Sequence, residues 1–243
     1  MIKSHAINVG EYVAVFDPLD GSKNIASSLP VGTIFGIYRW KNLPPAGLGT
    51  FLQRGMHMVA AGYCLYSATT VLVLTMGTGV DGFTLDPDRN EFIQTHPDIR
   101  IPSCGEIVSF NEGNIREFEE PVQQYLNEVK TSGIRDSVNG DKRLKASCRY
   151  AGAMVADVHN VLINGGIYGY PATRKAPNGK LRLLYESNPM AMIVEQAGGA
   201  ASTGRGRILE VIPTDVHQRV PTFLGSTDNV FELEQFVKYY GKG

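Results

Sequence analysis

The stretch Val13-Ala-Val-Phe-Asp-Pro-Leu-Asp-Gly-Ser-Lys-Asn-Ile25 is the most informative in the chain. An apolar run of strand type, Val13 to Phe16, stops at two carboxylates, Asp17 and Asp20, and Gly21 and Ser22 follow at once. A buried strand ending in Asp-Pro-Leu-Asp places charge where a rigid sheet edge meets solvent, a usual place for chemistry in α/β proteins. Hard divalent cations bind one or two carboxylates together with substrate phosphate, so the pair suits a metal-dependent phosphoryl site. If Gly21 and Ser22 open a helix, their free N–H groups face that phosphate. Asp-Pro and Asp-Gly are also common turn formers, and Asp-x-x-Asp alone equally fits a solvated turn.

The remaining composition narrows the classes. A chain of 243 residues has room for one large domain or two ordinary ones, and 43% apolar with 19% charged residues is the make-up of a soluble globular protein. A formal net charge of −1 gives no overall field for nucleic acid or an anionic membrane, so neither is expected as a partner. No apolar run is long enough to span a bilayer and no basic-then-apolar signal is visible at the N-terminus, which predicts a cytoplasmic protein and leaves a plastid open. Cys64, Cys104 and Cys148 are odd in number and far apart, which argues against a disulfide framework or zinc site and fits a reducing compartment. His5, His57, His96, His159 and His217 lack ligand spacing and read as surface or packed residues.

Patterning divides the chain near Asp98. Before it the texture is β: Val31 to Trp40 predicts a strand interrupted at Gly32 and Gly36, residues 41–55 a Pro- and Gly-rich loop, and Thr70 to Thr75 a central strand. Gly82 to Leu85 and Glu91 to Thr95 flank Asp-Pro-Asp-Arg-Asn, which is hairpin chemistry. After it, amphipathic helices are predicted over Ile115 to Lys130 and Tyr150 to Leu162. A strand over Leu181 to Tyr185 precedes a helix capped by Asn188, started by Pro189 and closed by Gly198-Gly199. A last strand, Leu224 to Ser226, and a terminal helix, Val230 to Tyr240, complete an α/β chain: a mainly-β part over residues 1–98, then an α/β part with a mixed sheet over 99–243.

Glu186, in Leu-Leu-Tyr-Glu-Ser-Asn-Pro, repeats the geometry of Asp17 and Asp20, a carboxylate at a strand end before a helix. Alone it equally fits compensation of a helix N-terminus; together with the Asp pair it suggests a shared cation cluster.

These motifs, with Glu195-Gln-Ala-Gly-Gly, Val31-Gly-Thr-Ile-Phe-Gly-Ile-Tyr, Met154-Val-Ala-Asp-Val-His, Asn178-Gly-Lys-Leu-Arg and Ile212-Pro-Thr-Asp-Val-His-Gln-Arg, resemble the lithium-sensitive, Mg2+-dependent sugar-phosphatase superfamily, which includes inositol monophosphatases. Within it the chain is most similar to the fructose-1,6-bisphosphatase family, from about residue 12 to its end. The resemblance implies a layered α/β sugar-phosphatase fold and Mg2+-dependent hydrolysis of the 1-phosphate of fructose 1,6-bisphosphate in gluconeogenesis, with Mn2+ or Zn2+ as alternative ions. It implies Asp17, Asp20, Glu186 and the Leu19 carbonyl as metal ligands. Gly21 and Ser22 become donors to the departing phosphate. Asn111, Tyr150, Tyr170 and Lys180 hold the other phosphate and the sugar, and Met154 lines the same pocket. Arg149 is implied to reach the neighbouring subunit's site in a homotetramer. Without the resemblance, Tyr150 and Met154 equally fit helix packing, Lys180 a solvated hairpin and Arg149 a surface charge.

The chain departs from the family's pattern in three ways. Family members carry a segment ahead of the Asp motif, with the AMP site and further acidic residues, whereas only sixteen residues precede Asp17 here. That predicts no AMP inhibition at the usual site and an under-supplied metal cluster. Asn114 stands where the family generally has Tyr, and Lys23 replaces a small polar residue. Two alternatives follow: a sedoheptulose-1,7-bisphosphatase or other sugar phosphatase, and a truncated non-catalytic homologue that binds sugar phosphate or regulates full-length subunits.

Overall fold

From Tyr12 onward, successive strands pair in sequence order into an antiparallel meander. Its strands are β1 (Tyr12–Asp20), β2 (Val31–Arg39), β3 (Met58–Tyr66), β4 (Thr70–Thr75), β5 (Asp81–Asp86) and β6 (Glu91–His96). The computed structural model describes residues 11–39, 52–137, 139–140 and 142–241. The inner face of the meander carries Ile34, Tyr38, Ala61, Tyr63, Val71 and Val73, all buried. The hairpin turn between β5 and β6 is held by Asp86 Oδ1, which accepts the N–H groups of Asp88 and Arg89 at 3.0 and 3.2 Å.

The rest of the chain alternates. It runs β7 (Ile107–Phe110), α1 (Glu120–Thr131), β8 (Ile134–Asp136), β9 (Lys142–Leu144), β10 (Ser147–Cys148), α2 (Met154–Asn164), β11 (Gly166–Tyr170), β12 (Leu181–Arg182), α3 (Asn188–Gln196), β13 (Ala200–Ser202), β14 (Arg219–Val220), β15 (Thr222–Gly225) and α4 (Thr227–Tyr240). A five-stranded sheet has the order β10-β7-β11-β15-β13. It is mixed: β7 is parallel to β10 and β11, while β15 is antiparallel to β11 and β13.

Burial explains the layering. The apolar residues of α2 (Val155, Val158, Val161, Leu162) and α3 (Met190, Ile193, Val194) share one core with the inner face of the meander and with Tyr168 and Leu224 of the second sheet. The opposite face of that sheet, through Val108, Phe110, Ile167 and Phe223, packs on α1 and α4. Adjacent Ile167 and Tyr168 thus enter different cores, as period-two alternation requires. The order of layers is sheet, helices, sheet, helices. Among the described residues no helix is long and apolar enough to cross a membrane.

Several boundaries differ from the sequence expectation, each for a local reason. The helix expected from Ile115 begins at Glu120, after a separate 3-10 turn at Glu112–Glu117, because Pro121 has no N–H to bond backward. The helix expected from Tyr150 begins at Met154, because the Ala151 and Gly152 N–H groups bond Asp157 instead. Leu181 to Tyr185 is not all strand: pairing ends at Arg182, and Leu183–Ser187 form a π-helical turn that runs into α3. Asn188 is therefore already helical, and its amide donates to the Tyr38 hydroxyl at 3.3 Å rather than capping. The last strand and helix start earlier than expected, at Thr222 and Thr227. Gly32 and Gly36 do not interrupt β2. A Cβ at Gly36 would lie 2.9 Å from the Met58 sulfur and 3.1 Å from Pro189, so the glycine lets α3 approach the sheet. Trp40, the expected end of that strand, and residues 41–51 of the expected loop lie outside the described residues, and Gly55–His57 form a 3-10 turn.

Candidate active site

Side chains three residues apart on a regular strand point to opposite faces. Asp17 pairs with Ile34 and Asp20 with Gly32, so three steps on β1 oppose two on β2. That β-bulge adds one residue and turns both carboxylates to the same side. The strand does not end at Phe16 as expected but runs through the bulge to Asp20. Glu186 arrives from the π-helical turn, and carboxylate oxygens of Asp17, Asp20 and Glu186 lie within 4.8 Å of one another.

The cluster is electrostatically uneasy. Burial pushes the Asp20 carboxyl up to about 6, with Asp17 and Asp157 adding repulsion, while the Val155 N–H, donating to Oδ2 at 2.8 Å, pulls the other way. Burial likewise pushes Glu186 up to about 7 against the pull of the Arg182 N–H and guanidinium. Three convergent hard oxygen donors that resist ionisation together fit a divalent cation, which would remove the repulsion.

A cavity of about 530 Å³ opens from these carboxylates. Leu19, Gly21, Ser22 and Lys23 line it beside them, and Asn111, Tyr150, Met154, Tyr170 and Lys180 line it opposite. Every site residue expected from sequence is there except Arg149, which is exposed and outside the lining. Tyr150 is not on a helix: it sits in the extended segment before α2, 38% exposed, and bonds Asn111, whereas Met154 is buried in the first turn. The Lys180 ammonium stands 5.7 Å from the Tyr170 ring centroid. Asn114 lines an adjoining cavity of about 250 Å³ that shares Asn111, Tyr170 and Lys180 with the first.

Gly21 and two further residues, Asn24 and Asp157, hold the two walls together. Gly21, at φ +77°, lets the backbone pass Ala153, since a Cβ there would lie 2.5 Å from the Ala153 Cβ. Ser22–Ser27 then make a 3-10 turn, from which the buried Asn24 amide donates to the carbonyls of Pro30 and Ala151 at 2.9 and 3.0 Å. Asp157, buried in α2, accepts from Ala151 N–H at 2.7 Å and from Gly152 N–H and Ser109 Oγ at 3.0 Å each, so it shapes the segment bearing Tyr150. Sequence reasoning missed Asn24, Asp157, Tyr168 and Arg182. An Asp in an otherwise apolar helix stripe is a usable signal for Asp157, and Asn24 and Arg182 fall within the motif stretches quoted above, whereas Tyr168 falls in none of them.

Comparison with known proteins places this geometry. Residues 1–97 match the fructose-1-6-bisphosphatase N-terminal domain and residues 101–238 the C-terminal domain. The chain is 52% identical over 225 residues to the cytosolic fructose-1,6-bisphosphatase of Musa acuminata and 51% to that of Spinacia oleracea, covering 93% of this chain in each case. It spans 64% of the length of these relatives. Leishmania major fructose-1,6-bisphosphatase in its T-state superposes with a TM-score of 0.87 at 45% identity, covering 94% of this chain and 70% of that one. The holo form of the same protein gives a TM-score of 0.84 at 46% identity, over 93% and 69% of the two chains. With both domain models matched and such identity over nearly its whole length, the chain belongs to the fructose-1,6-bisphosphatase family and has the layered α/β sugar-phosphatase fold.

Proposed function

We propose that this chain hydrolyses the 1-phosphate of fructose 1,6-bisphosphate to fructose 6-phosphate and phosphate, with Mg2+, in gluconeogenesis. The observation that carries it is the facing of three carboxylates and a set of cationic and hydroxyl donors across one cavity. Asp17, Asp20, Glu186 and the Leu19 carbonyl would hold the metal, Mg2+ or alternatively Mn2+ or Zn2+, which when bound neutralises phosphate charge and acidifies water. The backbone of Gly21 and Ser22 donates to the departing phosphate. Asn111, Tyr150, Tyr170 and Lys180 hold the sugar and its second phosphate, and Met154 closes the apolar side. Contacts this far from the reacting centre select bisphosphates over monophosphates. Because positioning and charge do most of the work in phosphoryl transfer, Asn24 and Asp157, which fix the walls of the cavity, would act as positioning residues.

The same reading assigns two functional units, residues 1–98 with the metal motif and 99–243 with the sugar-phosphate wall. It also assigns a homotetramer in which Arg149 reaches a neighbouring site, and a cytosolic location like that named for the relatives. The adjoining cavity beside Asn114 supports a second substrate, the longer sedoheptulose 1,7-bisphosphate.

Phosphate release from fructose 1,6-bisphosphate is measured with Mg2+, for the unaltered chain and for Asp20→Ala and Glu186→Ala. Turnover lost in both variants supports the proposal; no turnover in the unaltered chain, or turnover that persists in EDTA, overturns it. The ratio of kcat/KM between the two bisphosphates decides the substrate.

A further inference from the structure

Among the described residues, Lys23, Lys180 and Arg182 are the side-chain cations that line the cavity. Two of them are engaged. Lys180 stands over the Tyr170 ring on the wall opposite the carboxylates, and Arg182 Nη1 is 3.5 Å from Glu186 Oε1. Lys23 is exposed and, among the described residues, has neither an ion pair nor a hydrogen bond from its side chain. Its position is set by its neighbours. The backbone N–H of Asn24 donates to the Gly21 carbonyl at 2.7 Å, and the Asn24 amide donates to the carbonyls of Pro30 and Ala151 at 2.9 and 3.0 Å. These bonds pin the 3-10 turn on both sides of Lys23, three residues beyond Asp20. A flexible stem thus hangs from fixed backbone at the carboxylate end of the cavity. A phosphate entering there meets repulsion from Asp17, Asp20 and Glu186. An ammonium with three donors and no competing acceptor is the group suited to offset it.

We propose that Lys23 is a binding residue for the reacting phosphate: its ammonium captures phosphoryl oxygens at the carboxylate end of the cavity and holds the product, inorganic phosphate, there as well. The proposal rests on the reading that this end takes the 1-phosphate. Charge-assisted hydrogen bonds from Lys23 act without a divalent ion, so the chain keeps affinity for phosphate when none is bound. Substrate and transition state carry this phosphate alike, so the contact lowers KM more than it raises kcat. It also slows release of the product phosphate. Lys23 and Lys180 thereby divide the two phosphates of the substrate between them. A lysine that is only a solvated surface charge has none of these effects.

Binding of inorganic phosphate to the full chain in EDTA is followed by phosphorus NMR, and its inhibition of fructose 1,6-bisphosphate hydrolysis is measured with Mg2+. Lys23→Met is expected to weaken phosphate about three- to tenfold in both, the size of one exposed charge-assisted contact. Lys23→Arg, which keeps the charge, should stay within about twofold. KM of Lys23→Met should rise by a similar factor for fructose 1-phosphate and for the bisphosphate, whereas Lys180→Met should move only the bisphosphate. Because Lys23 is exposed, both of its variants should melt with the unaltered chain. Equal phosphate binding by Lys23→Met overturns the inference and leaves the proposed function standing. A KM rise confined to the bisphosphate also overturns it, since that places Lys23 at the other phosphate. Phosphate binding that weakens in Lys23→Met, in a chain that hydrolyses no sugar phosphate, supports the phosphate site and removes the proposed function. No phosphate binding by the unaltered chain in EDTA overturns the inference outright.

Discussion

Asp20 Oδ2 accepts the Val155 backbone N–H at 2.8 Å, so the last residue of β1 caps the first turn of the helix between the two sheets. The same carboxylate is a candidate cation ligand, and the two roles separate by substitution. Asp20→Ala removes both, and a lost cap is worth about 1 kcal/mol, or roughly 2–4 °C in Tm for a chain of this size. Asp20→Asn keeps an acceptor for Val155 and should melt within about 2 °C of the unaltered chain. Both should lower phosphate release by about 100-fold or more. Thermal melting beside a phosphate assay reads both effects.

Asp20 and Glu186 make the metal-free chain sensitive to alkali. Their folded values, about 6 and about 7, lie above the ordinary 3.8 and 4.5, so the folded state holds protons that the unfolded state releases. Their contribution to stability is complete below about pH 4 and lost as pH rises through about 6 to 7. In EDTA, Glu186→Gln should gain in Tm relative to the unaltered chain across that window. Saturating Mg2+ should shrink the difference, as melting curves at several pH values would show.

His159 acts in the opposite sense. Burial lowers it from 6.5 to about 4, and its Nδ1 lies 2.7 Å from the hydroxyl of the fully buried Tyr63, whose own ionisation burial pushes well up. The unfolded state therefore takes up a proton that the folded state refuses, and stability falls as pH drops from about 6.5 to about 4. His159→Gln should flatten the acid limb of the Tm profile by about one proton, whatever the overall change in Tm.

Lys180 is exposed on the wall opposite the carboxylates. Lys180→Met should raise KM for fructose 1,6-bisphosphate about tenfold with a smaller change in kcat, since it removes charge from the non-reacting phosphate. Hydrolysis of fructose 1-phosphate, which lacks that phosphate, should be unaffected. Steady-state kinetics on both substrates check this.

Gly21→Ala forces a side chain into the left-handed backbone region and against Ala153. We expect a cost of about 1–3 kcal/mol, seen as a fall in Tm, with loss of turnover because the 22–27 turn cannot keep its seat.

Much of the fold was legible from residue patterns. Val122, Tyr125, Leu126 and Val129 lie on one helical face by spacing alone, and all four are buried on the second sheet. Both hairpin strands around Asp86 to Asn90 follow from turn chemistry. Misplaced boundaries have two local causes: a backbone N–H that bonds a nearby side chain instead of the helix, as Gly152 does with Asp157, and a helix start that proline dictates, as with Pro121 opening α1.

By itself, then, the sequence determined the types of the main elements, their apolar faces, and the chemistry of the Asp17-to-Ser22 run with Glu186, because these depend on residue type and short-range spacing. Tertiary structure decided that Asp17 and Asp20 face the same way, since only pairing with Ile34 and Gly32 creates the bulge that undoes strand alternation. It also decided that Glu186, which is 166 residues from Asp20, meets that pair. Spacing along the chain carries no information about such meetings, because they are set by packing α3 and its π-helical turn against β1 and β2.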